Sequence, residues 1–188
     1  RASVKYLYES GHREMAILAG PVSSVSANLR LRSWLDTLSS YGLKPVTVLH
    51  GNWDAQSGYA CALQMLRETP DFSAVLVGND QMALGVLSAF HQHQVAIPGE
   101  KSVIGYDDTY ESSFFYPALT TVSLDLDLQG KEAVRRILES DDNASSRTSS
   151  ILPARLVVRH STGAKVEQGK DMQAIAEQLR AIAHQLSR

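Results

Sequence analysis

Apolar and polar positions alternate between two periods along the first two thirds of the chain. Residues 2–10 repeat at helical spacing, 15–20 form a short continuous apolar run, and 23–40 return to helical spacing with Val25, Leu29, Leu35 and Leu38 on one face. Gly42 follows as a helix terminator. The alternation continues through a strand at 46–49, a helix over 55–68 carrying Tyr59, Leu63 and Leu66, a strand at 73–78, a helix over 81–93 capped by Asn79-Asp80, and a strand at 103–106. Strands and helices alternating through short loops predict βαβ units, hence an α/β fold: a parallel sheet with helices on both faces and right-handed crossovers.

Beyond residue 118 the pattern changes. Residues 119–126 read as a strand, 127–139 as a helix, 140–146 as a polar loop and 151–158 as an extended segment. A glycine- and charge-containing stretch, 163–170, then reads as a linker. In the final helix Met172, Ile175, Leu179, Ile182 and Leu186 recur at steps of three and four, the apolar seam of a coiled coil. So short a helix is marginal alone in water, which predicts a bundle with other copies, above the dimer.

Composition narrows the picture. The chain has 188 residues, with 18 basic against 20 acidic side chains and a net charge of −2, so no overall field draws it to nucleic acid or an anionic membrane. A single cysteine, Cys61, excludes an internal disulfide and points to a reducing, cytoplasmic setting. No apolar run approaches the roughly 18 residues of a membrane span. Residues 1–7 are already amphipathic, without a signal-peptide pattern, so the chain is expected to begin inside a fold, as a fragment.

Three strand-like runs end in polar clusters, at Ser23-Ser24, Asn79-Asp80 and Asp107-Asp108. In an open parallel sheet the carboxyl ends of the strands share one edge, so these clusters are expected to meet in one crevice. Arg30 stands one helical turn beyond Ser26 and offers a rigid fork of donors. Asp107 offers acceptors, Asn79 offers both, and Trp53 supplies an aromatic plate, a combination suited to a sugar. Singly, each also fits a plainer role: Arg30 as a surface charge, Asn79 as an N-cap, Asp107 as a turn residue and Trp53 as core filler.

Catalytic and metal readings find no support. Asp107 and Asp108 are neighbours and on a strand would face opposite ways. His91 and His93 are two apart on a helix and do not form an i, i+4 pair. Cys61 lacks an adjacent activator, and no glycine-rich loop has phosphate-binding spacing. The expectation is a binding protein, not an enzyme, with no cofactor.

Residues 75–85, around Gly78-Asn79-Asp80-Gln81-Met82, residues 102–109, around Gly105-Tyr106-Asp107-Asp108, and Pro117-Ala118-Leu119-Thr120-Thr121-Val122 resemble hallmark segments of the LacI/GalR family of bacterial sugar-responsive repressors. Residues 18–34 and 51–59 carry the resemblance further. It implies a periplasmic-binding-protein-like core of two subdomains joined by three crossovers. Residues 1–122 and 154–162 then belong to the C-terminal subdomain and 123–153 to a largely missing N-terminal one. Residues 163–170 are the linker and 171–188 the oligomerisation helix.

By the same resemblance, Ser26, Arg30, Trp53, Asn79 and Asp107 line the pocket for a galactoside-type inducer, with Ser24 and Leu124 as lesser contacts. Asp80, Gln81, Leu84 and Phe115 belong to a dimer face, Asp108 to a cap or hinge, and the last helix joins dimers into a tetramer. Operator DNA is met only through an N-terminal headpiece that these residues do not contain. Leu124 and Leu126 replace a glutamine and a phenylalanine of the family pattern, and Asn28 replaces an arginine. A periplasmic sugar-binding protein is the alternative; it implies a secreted monomer, against which the heptad helix argues.

Overall fold

The computed structural model describes residues 1–139 and 152–165. The heptad helix with Met172, Ile175, Leu179, Ile182 and Leu186 lies outside the described residues, as do the 140–146 loop and most of the linker.

Strand β1 (Met15–Ala19) is buried along its whole length and pairs in parallel with β2 (Thr47–His50) on one side and β3 (Ala74–Val77) on the other. Strand β4 (Ser102–Ile104) extends the sheet beyond β3, giving the order β2-β1-β3-β4. Helices α1 (Ala2–Glu9) and α2 (Val25–Ser40) cover one face, where Val4, Leu7, Trp34 and Leu38 meet Met15, Ile17, Leu76 and Ile104. Helices α3 (Ala55–Glu68) and α4 (Asp80–Gln92) cover the other, where Met65, Val86 and Phe90 meet Leu18, Val75 and Val103. Each fully buried large aliphatic in these two layers contributes about 1.5–3 kcal/mol of transfer free energy. This is the expected doubly wound α/β arrangement.

Capping fixes the helix starts. Asp54 accepts from the Ser57 N–H at 2.7 Å, Asn79 from the Met82 N–H at 2.9 Å, and Ser24 from the Ala27 N–H at 3.4 Å. Two glycines let α3 and α4 come unusually close. A Cβ on Gly85 would lie 1.9 Å from the Ala55 carbonyl oxygen, and one on Gly58 would lie 2.1 Å from that of Met82.

The α2 face differs from expectation. Val25 is 74% exposed and Leu29 62% exposed, while Ala27, Trp34 and Leu38 are buried. Trp34 is the largest apolar group on the helix, and its burial turns the inward stripe away from Val25 and Leu29.

The chain then runs along the free edge of β4, where Ile104 bridges Thr120 and Asp107 bridges Ser123, both in parallel. Strand β5 is confined to Thr121–Leu124, because Asp125 caps the next helix by accepting from the Leu128 N–H at 2.8 Å. That helix, α5 (Leu126–Glu139), leaves Leu126, Val134, Ile137 and Leu138 exposed. The chain returns as β6 (Ala154–Val157), antiparallel to β5, with Ser123 opposite Arg155 and Leu124 opposite Ala154. Leu156 packs with the α1 and α2 layer.

Candidate functional site

The carboxyl tips of β1, β3 and β4 and the loop after β2 meet at one edge of the sheet. Trp53, held at φ 71°, lays its ring on the backbone of Gly20 and Gly78. A Cβ on Gly20 would fall 2.2 Å from the indole, so only glycine admits the ring there. Asn79 secures the arrangement: its Nδ2 donates to the Trp53 carbonyl at 2.9 Å while its Oδ1 caps α4. The N-cap role of Asn79 is therefore present, and its amide keeps one donor and one acceptor position beyond these two bonds.

Arg30 reaches from α2 across the strand tips. Its guanidinium donates to the Gly78 carbonyl, lies 3.4 Å from the Tyr106 ring centroid and 5.8 Å from that of Trp53. Burial lowers its pKa, opposed by Tyr106 and Asp107, yet a guanidinium stays charged throughout the physiological range. Asp107 follows β4 with φ 114°. Desolvation pushes its carboxyl up to about 6, with Arg30 pulling it down and Asp80 pushing it up. The site thus holds a permanent fork of donors, an aromatic plate, an amide and a carboxylate poised near neutrality. That set can grip adjacent hydroxyls and cover an apolar ring face, and it contains no nucleophile with an activating base.

Arg30, Trp53, Asn79 and Asp107 are gathered as expected. Ser26 stays exposed on the first turn of α2, hydrogen-bonded to the half-buried Ser24 at 3.1 Å. Leu124 is half-buried at the end of β5. Tyr106, the ring beneath Arg30, was not singled out by the sequence; the signal available was an aromatic directly preceding Asp107.

One expectation is corrected. Asp80 is fully buried and so is not part of an outer face. Its Oδ1 accepts from the Thr121 hydroxyl at 2.6 Å and its Oδ2 from the Thr109 N–H at 2.9 Å, tying α4 to β5 and to the loop after β4. Burial raises its pKa. Asp108 forms a largely buried ion pair with Arg159, Nη2 to Oδ1 at 2.6 Å, from a backbone φ of 54°. Gln81 and Leu84 are exposed on α4, and Phe115 is half-buried beside it. Leu84, Leu87, Ser88, His91, Phe115 and Tyr116 line a shallow apolar groove of about 280 Å³. Among the described residues no three acidic, histidine or cysteine groups are placed to hold a metal, and no helix is long and apolar enough to cross a membrane.

A parallel sheet with a polar crevice at its strand tips is common to many doubly wound domains; the family model described as "Periplasmic binding protein-like domain" matches residues 4–162. The chain belongs to this family. It is 45% identical over 185 residues to the lactose operon repressor of Klebsiella pneumoniae, covering 98% of this chain and 52% of that protein. To the lactose operon repressor of Escherichia coli (strain K12) it is 40% identical over 188 residues, covering 100% and 52%. Among solved structures, the Lac repressor dimer bound to operator and the anti-inducer ONPF matches with a TM-score of 0.83 at 41% identity, covering 86% of this chain and 57% of that one. The LacI/GalR resemblance therefore extends along the whole sequence, while the chain spans about half the length of the curated relatives it matches.

Proposed function

We propose that this chain is the effector-binding and oligomerising portion of a cytoplasmic, lactose-type transcriptional repressor, and that its effector is a sugar of galactoside type. The observation that supports this most directly is the joining of Arg30, Tyr106, Trp53, Asn79 and Asp107 at the strand tips of a chain similar throughout to lactose operon repressors. Residues 1–122 and 154–162 act as one jaw of the cleft. The second jaw is a further subdomain to which 123–153 contributes, in keeping with the open apolar face of α5.

In this reading the sugar binds one relative orientation of the two jaws better than the other and shifts the population toward it. Gln81, Leu84 and Phe115 contribute to a dimer face, so the shift changes how the dimer presents operator-reading headpieces. The heptad residues Met172 to Leu186 join two dimers. A periplasmic sugar-binding protein is not favoured, since the relatives named above are repressors.

Isothermal calorimetry of the full-length protein with a panel of galactosides and glucosides tests the proposal. Saturable binding of a galactoside that also releases operator DNA is expected. Absence of binding across the panel overturns the sugar reading.

A further inference from the structure

The carboxylate of Asp107 makes no hydrogen bond among the described residues, so its direction comes from the backbone that carries it. That backbone is unusual. Asp107 and Asp108 have φ values of 114° and 54°, a left-handed pair of non-glycine residues that surrounding contacts must hold in place. On one side the Asp107 N–H donates to the Val122 carbonyl at 2.9 Å, and the Thr109 N–H donates to Asp80. On the other side stands Arg159, two residues past β6.

Arg159 uses its whole fork. One nitrogen meets Asp108 at 2.6 Å; the other donates to the Leu119 carbonyl at 2.8 Å and to the Ser112 hydroxyl at 3.2 Å. Its own N–H donates to the Thr120 hydroxyl at 2.9 Å. The Arg159 and Asp108 side chains are only 20% and 15% exposed, so this contact is shielded from competing water. A single side chain from the returning crossover thus grips the strained turn, the short 3-10 turn at Tyr110–Phe114 and the segment entering β5.

We infer that Arg159, through its ion pair with Asp108, is a positioning residue that aims Asp107 into the sugar site. The inference rests on the sugar-site reading above but acts on geometry that exists without ligand. Charged groups facing Asp107 are Arg30 from α2 and Asp80 from α4, with Tyr106 beside it on the same segment. Arg159 does not touch the pocket; it acts on the backbone one residue away.

Three variants of the full-length protein, Arg159→Gln, Arg159→Lys and Asp108→Asn, test this. Asp108→Asn removes the negative charge of the ion pair while leaving Arg159 bonded to Leu119 and Ser112, so it guards against a folding defect in Arg159→Gln. Affinity for the galactoside o-nitrophenyl β-galactoside (ONPG) is measured by calorimetry, and the Asp107 carboxyl is titrated by carbon NMR without ligand. Arg159→Gln and Asp108→Asn are expected to weaken ONPG binding by about tenfold or more, Arg159→Lys less, because one donor replaces a fork. In Arg159→Gln and Asp108→Asn the Asp107 midpoint is expected to fall toward the ordinary carboxylate range as the turn opens to water. Folded variants with wild-type affinity and an unmoved midpoint overturn the assignment. If the parent protein itself fails to bind ONPG, the galactoside reading fails, and the Asp107 titration still decides the role of Arg159.

Discussion

The Arg30 guanidinium lies 3.4 Å from the centre of the Tyr106 ring while it donates to the carbonyl of Gly78. One side chain on α2 therefore spans the tips of β3 and β4. The stack and the hydrogen bond together hold the guanidinium in place, which lowers the ordering entropy a ligand has to overcome. Asp107, two positions past Gly105, supplies the opposite charge to the same region.

Replacing Arg30 with Ala removes the fork and leaves the sheet intact. Stacking of this kind contributes about 0.5–2 kcal/mol, so thermal unfolding is expected to shift by only a few degrees. Loss of a charge-assisted grip on two hydroxyls costs more, and sugar affinity is expected to fall at least about tenfold. Calorimetry beside a melting curve separates the two. A variant that binds sugar like the parent places Arg30 outside the pocket.

Gly85→Ala decides between two opposing effects. Helix propensity favours alanine by about 1 kcal/mol. Against it, the new Cβ would lie 1.9 Å from the Ala55 carbonyl oxygen, a rigid backbone atom, so α3 and α4 must separate. Overpacking of that kind costs about 1–3 kcal/mol or more, and the net expectation is destabilisation. Urea unfolding measures it; a midpoint equal to or above the parent's contradicts the close approach.

Asp80 and Thr121 make a second test of the interior. Thr121→Val removes one hydrogen bond to a carboxylate and is expected to cost about 1.5–3 kcal/mol. Asp80→Ala orphans both the Thr121 hydroxyl and the Thr109 N–H, at roughly 1–3 kcal/mol each, so it is expected to be the worse of the two. Denaturant unfolding of both variants checks the order, and a reversed order breaks the proposed linkage of α4 to β5.

The parts of the molecule legible in the sequence were those fixed by neighbours in sequence. Helix α3 begins where periodicity predicts because Asp54 caps it locally. The gathering of Trp53, Asn79 and Asp107 followed from one rule about strand tips. What escaped was set by distant partners. Asp80 sits in a Gly-Asn-Asp-Gln run that looks like a polar helix start, yet Thr121, 41 residues away, makes it a core residue. Asp107 and Asp108 face apart, as neighbours on a strand would, but they do so within a left-handed turn past β4 that had no local signal, Asp107 toward Arg30 and Asp108 toward Arg159. Arg159 itself had no local signal, since its partner lies 51 positions back.

The carboxyl of Asp107, pushed up to about 6 by burial, makes a prediction whose sign is fixed. Below about pH 4 the group is protonated in folded and unfolded chains alike and contributes nothing. Between about pH 4 and 6 the folded protein holds a proton that the unfolded chain has released, so each increment of pH weakens folding. Above about pH 6 both forms are ionised and the folded state carries the full desolvation cost. Asp107→Asn removes that cost, so the variant is expected to melt above the parent at pH 7.5, with the advantage shrinking to nothing near pH 4. Sugar binding moves the other way: an ionised Asp107 is the better acceptor, so parent affinity is expected to decline as pH falls through about 6, and the asparagine variant to bind poorly at every pH. Melting curves and calorimetry at half-unit steps from pH 4 to 8 check both trends. A melting advantage that persists at pH 4 means another group carries the titration, and an affinity flat across pH 6 takes Asp107 out of contact with the sugar.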